Sequence, residues 1–139
     1  MFWGPKSAGI VVIKYFDDQP KLLVLFDAKS YDLPKGHVEQ GEEYLEAAIR
    51  ETYEESAVKN LTFPWGNVSF DTEKARFFIA VTEDEPYAQR NPASGMFEHL
   101  GCRWLTAREA LAVLPKSLKP AISWSEQIIS GWSFPELSS

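Results

Sequence analysis

Three glutamates, Glu51, Glu54 and Glu55, stand at i, i+3 and i+4 in a stretch that reads as helix. At about 100° per residue their carboxylates share one face. Like charges at this spacing cost a helix roughly a few tenths of a kcal/mol per pair, and in a C-terminal half the dipole disfavours anions further. A hard divalent cation such as Mg2+ removes the penalty, because it takes carboxylate oxygens and keeps several waters for a substrate. Upstream, Lys35-Gly36-His37 puts a glycine where backbone must approach another group closely, flanked by two side chains able to meet phosphate oxygens. Alone, a Glu-x-x-Glu-Glu run is most often a solvated helix face, and the tripeptide a turn. Together they point to metal-assisted chemistry on a phosphate-bearing molecule.

The elements that must position these groups follow from periodicity. From Glu42 to about Val58 the pattern is helical, with Leu45, Ala48, Ile49 and Thr52 on one face at spacings of three and four. The acids lie opposite the Leu45/Ile49 stripe. Glu39, Glu42 and Glu43 suit the positive end of the helix dipole. Gly9 to Phe16 and Lys21 to Phe26 are β-branched and apolar, and Asp17-Asp18-Gln19-Pro20 between them predicts a hairpin. Residues 28–41 read as a loop, as do residues 83–95. Val68 to Phe70, Ala75 to Val81 and Phe97 to Leu105 read as strands. Thr106-Ala107-Arg108-Glu109 has capping-box spacing and opens a short helix that Pro115 stops. A last helix runs from about Lys119 to Ile129, with Gly131 as its stop. The order implies an α/β fold with a mixed sheet covered on both faces, as one domain over residues 1–139.

Composition narrows the class. Twenty acids against 14 bases give a net charge of −6, which argues against the basic face that DNA or RNA binding at large requires. A phosphate-bearing small molecule stays compatible if metal ions offset the local repulsion. Cys102 is the only cysteine, so no internal disulfide forms and a reducing compartment is expected. The first residues carry no leader pattern, and no apolar run approaches the ~20 residues that cross a bilayer. The expectation is a cytoplasmic protein with no membrane association; no protein partner is inferable.

Read together, Gly36, Glu42, Arg50-Glu51-Thr52-Tyr53-Glu54-Glu55 and Ser56-Ala57-Val58 resemble the Nudix box, with every charged position present. Thr52 stands where the box usually has an aliphatic residue, and Ala57 where it ends in glycine. Without that glycine the helix is expected to continue toward Asn60. The resemblance implies an α/β/α sandwich, with Glu51, Glu54 and Glu55 gathering Mg2+ (Mn2+ as a substitute) and the carbonyl of Gly36 joining them. It also implies that Arg50 holds Glu42 and binds loop to helix. The residues agree, since Arg50 lies four before Glu54 and four after Glu46, within reach of acids on its own helix.

Pro34-Lys35-Gly36-His37-Val38-Glu39, with Arg50-Glu51-Thr52, is similar to the branch that cleaves diadenosine tetraphosphate (Ap4A) asymmetrically. In that branch threonine is normal at the slot of Thr52. Glu98-His99, followed by Arg103-Trp104-Leu105, is similar to a second segment of the branch, so the resemblance spans roughly residues 9–112. It implies that Glu98 closes on the metals or orients water, and that Phe77 stacks on a base; Tyr31 and Tyr87 are the next aromatic candidates. Lys35, His37 and either Lys74 or Arg76 would steady the polyphosphate, and Glu54 or Glu98 would act as general base. The products would be ATP and AMP. Two rivals stand beside this. One is a Nudix enzyme for another diphosphate: an RNA 5′ end, a nucleoside triphosphate, a nucleotide sugar, ADP-ribose or an inositol pyrophosphate. The other is a non-catalytic binding module, which the full set of acids disfavours.

Overall fold

The computed structural model describes residues 4–131. The leader-free reading of the N-terminus therefore falls partly outside the described residues, and so does everything after Gly131. Strands β1 (Ser7–Phe16) and β2 (Gln19–Phe26) form the expected hairpin. Asp17 and Asp18 make its two-residue turn, both at positive φ (50° and 69°), as the twist of a tight hairpin requires.

β1 and β2 pair only near that turn, from Ile13↔Leu22 to Phe16↔Gln19. Beyond it they splay, and two short strands fill the wedge. β3 (Tyr31–Asp32) pairs with the end of β2, and β4 (Lys35–His37) pairs with the start of β1. The segment read as a loop is thus pinned into the sheet. Helix α1 (Tyr44–Ser56) follows, then β5 (Ser69–Asp71), β6 (Ala75–Val81) and β7 (Gly101–Leu105). β6 runs parallel to β1, β5 pairs antiparallel with β6, and β7 lies against β2. Helices α2 (Ala107–Val113) and α3 (Lys119–Ile129), joined through a 3-10 turn at Lys116–Leu118, close the chain. Thr106 caps α2 as its spacing implied, its Oγ1 accepting from the Glu109 N–H at 3.1 Å.

The mixed seven-stranded sheet is covered on both faces, an α/β/α sandwich. On one side Ala8, Ile10, Val12, Leu23, Phe78 and Ala80 meet Ala47 and Ala48 of α1. On the other, Val11, Ile13, Val24, Phe77 and Ile79 meet Ala110, Leu114, Ala121 and Ile122. The central strands are buried on both faces, so they read as unbroken apolar runs. Among the described residues no helix is long and apolar enough to cross a membrane.

Two expectations about α1 are corrected. Its buried residues are Ala47, Ala48, Thr52 and Ser56, while Ile49 is exposed. Small side chains let the helix sit close to the sheet, and this turns the acids toward the β4 flank instead of away from the core. The helix also stops at Ala57, which adopts the left-handed conformation (φ 66°, ψ 4°) and donates its N–H to the Tyr53 carbonyl at 2.8 Å. Val58, fully buried just beyond, fixes this exit.

An alanine here carries about 1–2 kcal/mol of left-handed strain. Glycine would relieve it at about 0.5–1 kcal/mol of extra chain entropy. Ala57→Gly should therefore raise the melting temperature by about 2–3 °C in calorimetry. A fall would show that the alanine methyl packs to better effect than its strain costs.

Candidate functional site

Arg50 is where the site is built. Its Nε donates to Glu42 Oε2 at 2.8 Å and its Nη2 to Glu42 Oε1 at 3.0 Å. Nη2 also reaches the His37 carbonyl at 2.9 Å, while Nη1 takes Glu51 at 2.9 Å and Glu54 at 3.2 Å. One planar guanidinium so joins the β4 exit, the start of α1 and two of its three acids. Its own pKa is driven up by these partners, Glu42 first. Glu42 also accepts from the Glu39 N–H at 2.9 Å, which closes the turn into the helix.

Gly36 lies directly against Glu51: a Cβ on this residue would occupy the space of the Glu51 carboxylate. The close approach inferred from the glycine is thus to a carboxylate, and only glycine permits it. Next to it the Lys35 N–H donates to Glu55 Oε1 at 3.0 Å. Glu98, exposed on a separate segment, has its carboxylate held by the side-chain amide of Asn91. Glu51, Glu54, Glu55 and Glu98 line one recess, together with Gln89, Asn91, Pro92 and His99.

The electrostatics are those of crowded acids. Burial pushes the Glu55 carboxyl up to about 8, with Glu51, Asp32 and Glu98 adding to the effect and the Lys35 N–H opposing it. Burial also raises Glu51, against the pull of Arg50. Among the described residues no three His, Cys, Asp or Glu side chains already converge as a finished cation cage. Each acid is tied elsewhere: Glu51 and Glu54 to Arg50, Glu55 to backbone, Glu98 to Asn91. The donor set still fits a hard divalent cation, being all carboxylate oxygen beside a bare glycine backbone, with more negative charge than Arg50 can offset.

Other expected residues are placed differently. Lys35 turns its ammonium to Asp32 at 3.1 Å. Burial would raise Asp32, but His99 and Lys35 outweigh that and hold it low. His37 is exposed at the end of β4. Arg76 does not reach the acids: it pairs with Asp71 at 2.7 Å, lies over the Tyr44 ring, and lines a groove on the other flank of α1 with Ile49. Phe77 is fully buried against the α3 side, so its ring has no open face and the stacking role is corrected to a core role. Tyr31 is half-buried on β3 against Phe26, and Tyr87 is exposed. Gln89, Asn91 and His99 line the recess and Asp32 holds Lys35; of these four, only His99 is flagged in the sequence, by the Glu98-His99 pair.

Glu55 yields a pH test. Its folded-state value lies above the ordinary 4.5, so the folded chain keeps a proton that the unfolded chain releases. The resulting stability is complete below about pH 4.5 and is lost as pH rises toward 8. In metal-free protein, Glu55→Gln should flatten the fall in melting temperature between these limits and leave the low-pH value nearly unchanged. Parallel curves for the two proteins would contradict the buried, uncompensated carboxyl.

A family model for the NUDIX domain matches residues 5–127. The backbone is similar to a C. elegans Ap4A hydrolase binary complex, with TM-score 0.74 and 22% identity over 91% of this chain and 99% of that one. An E. coli dihydroneopterin triphosphate pyrophosphohydrolase gives 0.59 and 23%, over 84% of this chain and 92% of that one. The NUDIX domain of Shewanella oneidensis NrtR, complexed with ADP ribose, gives 0.62 and 14%, over 93% and 90%. At such identities the likeness speaks for the fold. A comparison with curated proteins finds no match.

Proposed function

Because the chain belongs to the Nudix family, we propose that it is a Mg2+-dependent pyrophosphohydrolase that splits Ap4A asymmetrically into ATP and AMP. The observation that carries the reaction type is the shared recess. Three carboxylates of α1 and Glu98 from a distant segment face one another beside the Lys35–Gly36 backbone. Such a cluster costs stability unless a cation and a phosphate chain use it.

Glu51, Glu54, Glu55 and the Gly36 carbonyl would hold the cation. When bound, it neutralises charge on the phosphate chain and makes water a better nucleophile. The protein supplies the rest. Arg50 keeps Glu51 and Glu54 from turning away, and leaves Glu54 and Glu98 as the two candidates to take a proton from water. Lys35 reaches a phosphate by leaving Asp32, an exchange of one partly exposed ion pair for another. With Phe77 in the core, Tyr31 and Tyr87 remain to contact a base, and Tyr87 has the freer ring.

The choice of Ap4A rests on the Pro34–Glu39, Arg50–Thr52 and Glu98–Leu105 segments, supported by the likeness to the C. elegans Ap4A hydrolase. The burial of Phe77 favours the second reading, another nucleotide with a diphosphate linkage. A panel of Ap4A, capped RNA and ADP-ribose with Mg2+ separates them. Ap4A should be split to ATP and AMP with kcat/KM about ten-fold or more above the others, a margin of ~1.4 kcal/mol. Glu54→Gln should keep its melting temperature and lose about 10²–10⁴-fold in kcat. Preference for another member of the panel would move the substrate; no turnover of any would overturn the reading.

A further inference from the structure

The segment that brings Glu98 to the acids is strapped to the end of α1. The last carbonyls of a helix have no partners within it; here Tyr87 and Gln89 donate to carbonyls at the end of α1, and Asp84 takes the two N–H groups just past it. Asp84 Oδ2 accepts from the Lys59 and Asn60 N–H groups, each at 2.9 Å. The Tyr87 N–H donates to the Ser56 carbonyl at 2.9 Å. The Gln89 amide donates to the Tyr53 carbonyl and, at 3.5 Å, to that of Glu54. The strap therefore runs back along the helix that carries Glu51, Glu54 and Glu55.

At its far end Asn91 commits every hydrogen-bonding group it has. Its N–H donates to the Met96 carbonyl at 2.6 Å, and its carbonyl accepts from the Gly95 N–H at 2.7 Å. Its Oδ1 accepts from the N–H groups of Ala93 at 2.8 Å and Ser94 at 3.2 Å. Gly95, at φ +73°, closes the turn. With the oxygen fixed in that turn, the amide cannot flip, and Nδ2 faces Glu98 and donates to its Oε2.

Glu98 needs such a hold. It is an exposed side chain on a loop, and three other carboxylates share its recess and repel it. A lysine partner would hold it but cancel its charge; a neutral donor holds it and leaves the charge in place. We propose that Asn91 is the positioning residue for Glu98, fixing that carboxylate over the acidic face of α1. The inference rests on the role given to Glu98 above and adds the group through which that role depends on the strap.

Asn91→Asp is the sharpest variant. It keeps the oxygen that accepts from the turn and replaces the donor facing Glu98 with a second negative acceptor. Amide hydrogen exchange at Gly95 and Leu100, whose N–H groups are bonded on either side of Glu98, should speed up about ten-fold while α1 stays protected. Turnover of the substrate identified by the panel should lose about 10–100-fold in kcat with little change in KM. In Asn91→Asp/Glu98→Gln, donor and acceptor are swapped, so the contact can re-form. Protection at Gly95 and Leu100 should return, and kcat should equal that of Glu98→Gln alone instead of multiplying the two losses. Wild-type exchange in Asn91→Asp, or multiplied losses in the double variant, would overturn the proposal. Should Glu98→Gln turn over at the wild-type rate while Asn91→Asp still speeds exchange at Gly95 and Leu100, the anchor holds and the role given to Glu98 fails.

Discussion

The arrangement depends on the guanidinium of Arg50. Around it are Glu42, Glu51, Glu54 and the His37 carbonyl, with Glu39 at 3.9 Å. Lysine could not replace it, because a point charge with three donors cannot serve an acid on each side and a carbonyl at once. The fork fixes the angle between the β4 exit and α1, and this angle sets how the backbone at Gly36 meets Glu51. Remove it, and mutual repulsion would turn the acids outward.

The rest of the fold serves that geometry. Ala47 and Ala48 bring α1 onto the sheet, and the wedge between β1 and β2 receives β4 so that the Lys35 N–H faces the helix. The strap at residues 84–91 ties the other end of α1 to the segment bearing Glu98. Each device brings carboxylates together and out of water, and the Glu55 carboxyl is raised first by that burial and then by its acidic neighbours. Stability is given up locally for readiness to bind, a common trade at sites of chemistry.

Much of this was legible in the residues. The hairpin, β6 to its exact ends, the capping box at Thr106 and the shared face of Glu51, Glu54 and Glu55 all follow from local pattern. β3 and β4 did not, because strands of two and three residues have no periodicity to read. The end of α1 was misplaced since nothing local announces a left-handed alanine; the buried Val58 beyond it decides the matter. Phe77 was misread because a strand buried on both faces gives no sign of which face a ring occupies. Gln89, Asn91 and Asp32 act through tertiary contacts that only the fold creates.

Mn2+ uptake measured by electron paramagnetic resonance tests whether the acidic recess takes a divalent cation, without any choice of substrate. The wild-type protein should bind Mn2+, with Mg2+ in competition. The Glu51→Gln/Glu55→Gln variant, folded to the same melting temperature or above, should bind at least about ten-fold more weakly, a loss of ~1.4 kcal/mol or more. Equal affinity in the two proteins would mean that the ion is held elsewhere and that the crowded carboxylates have another purpose.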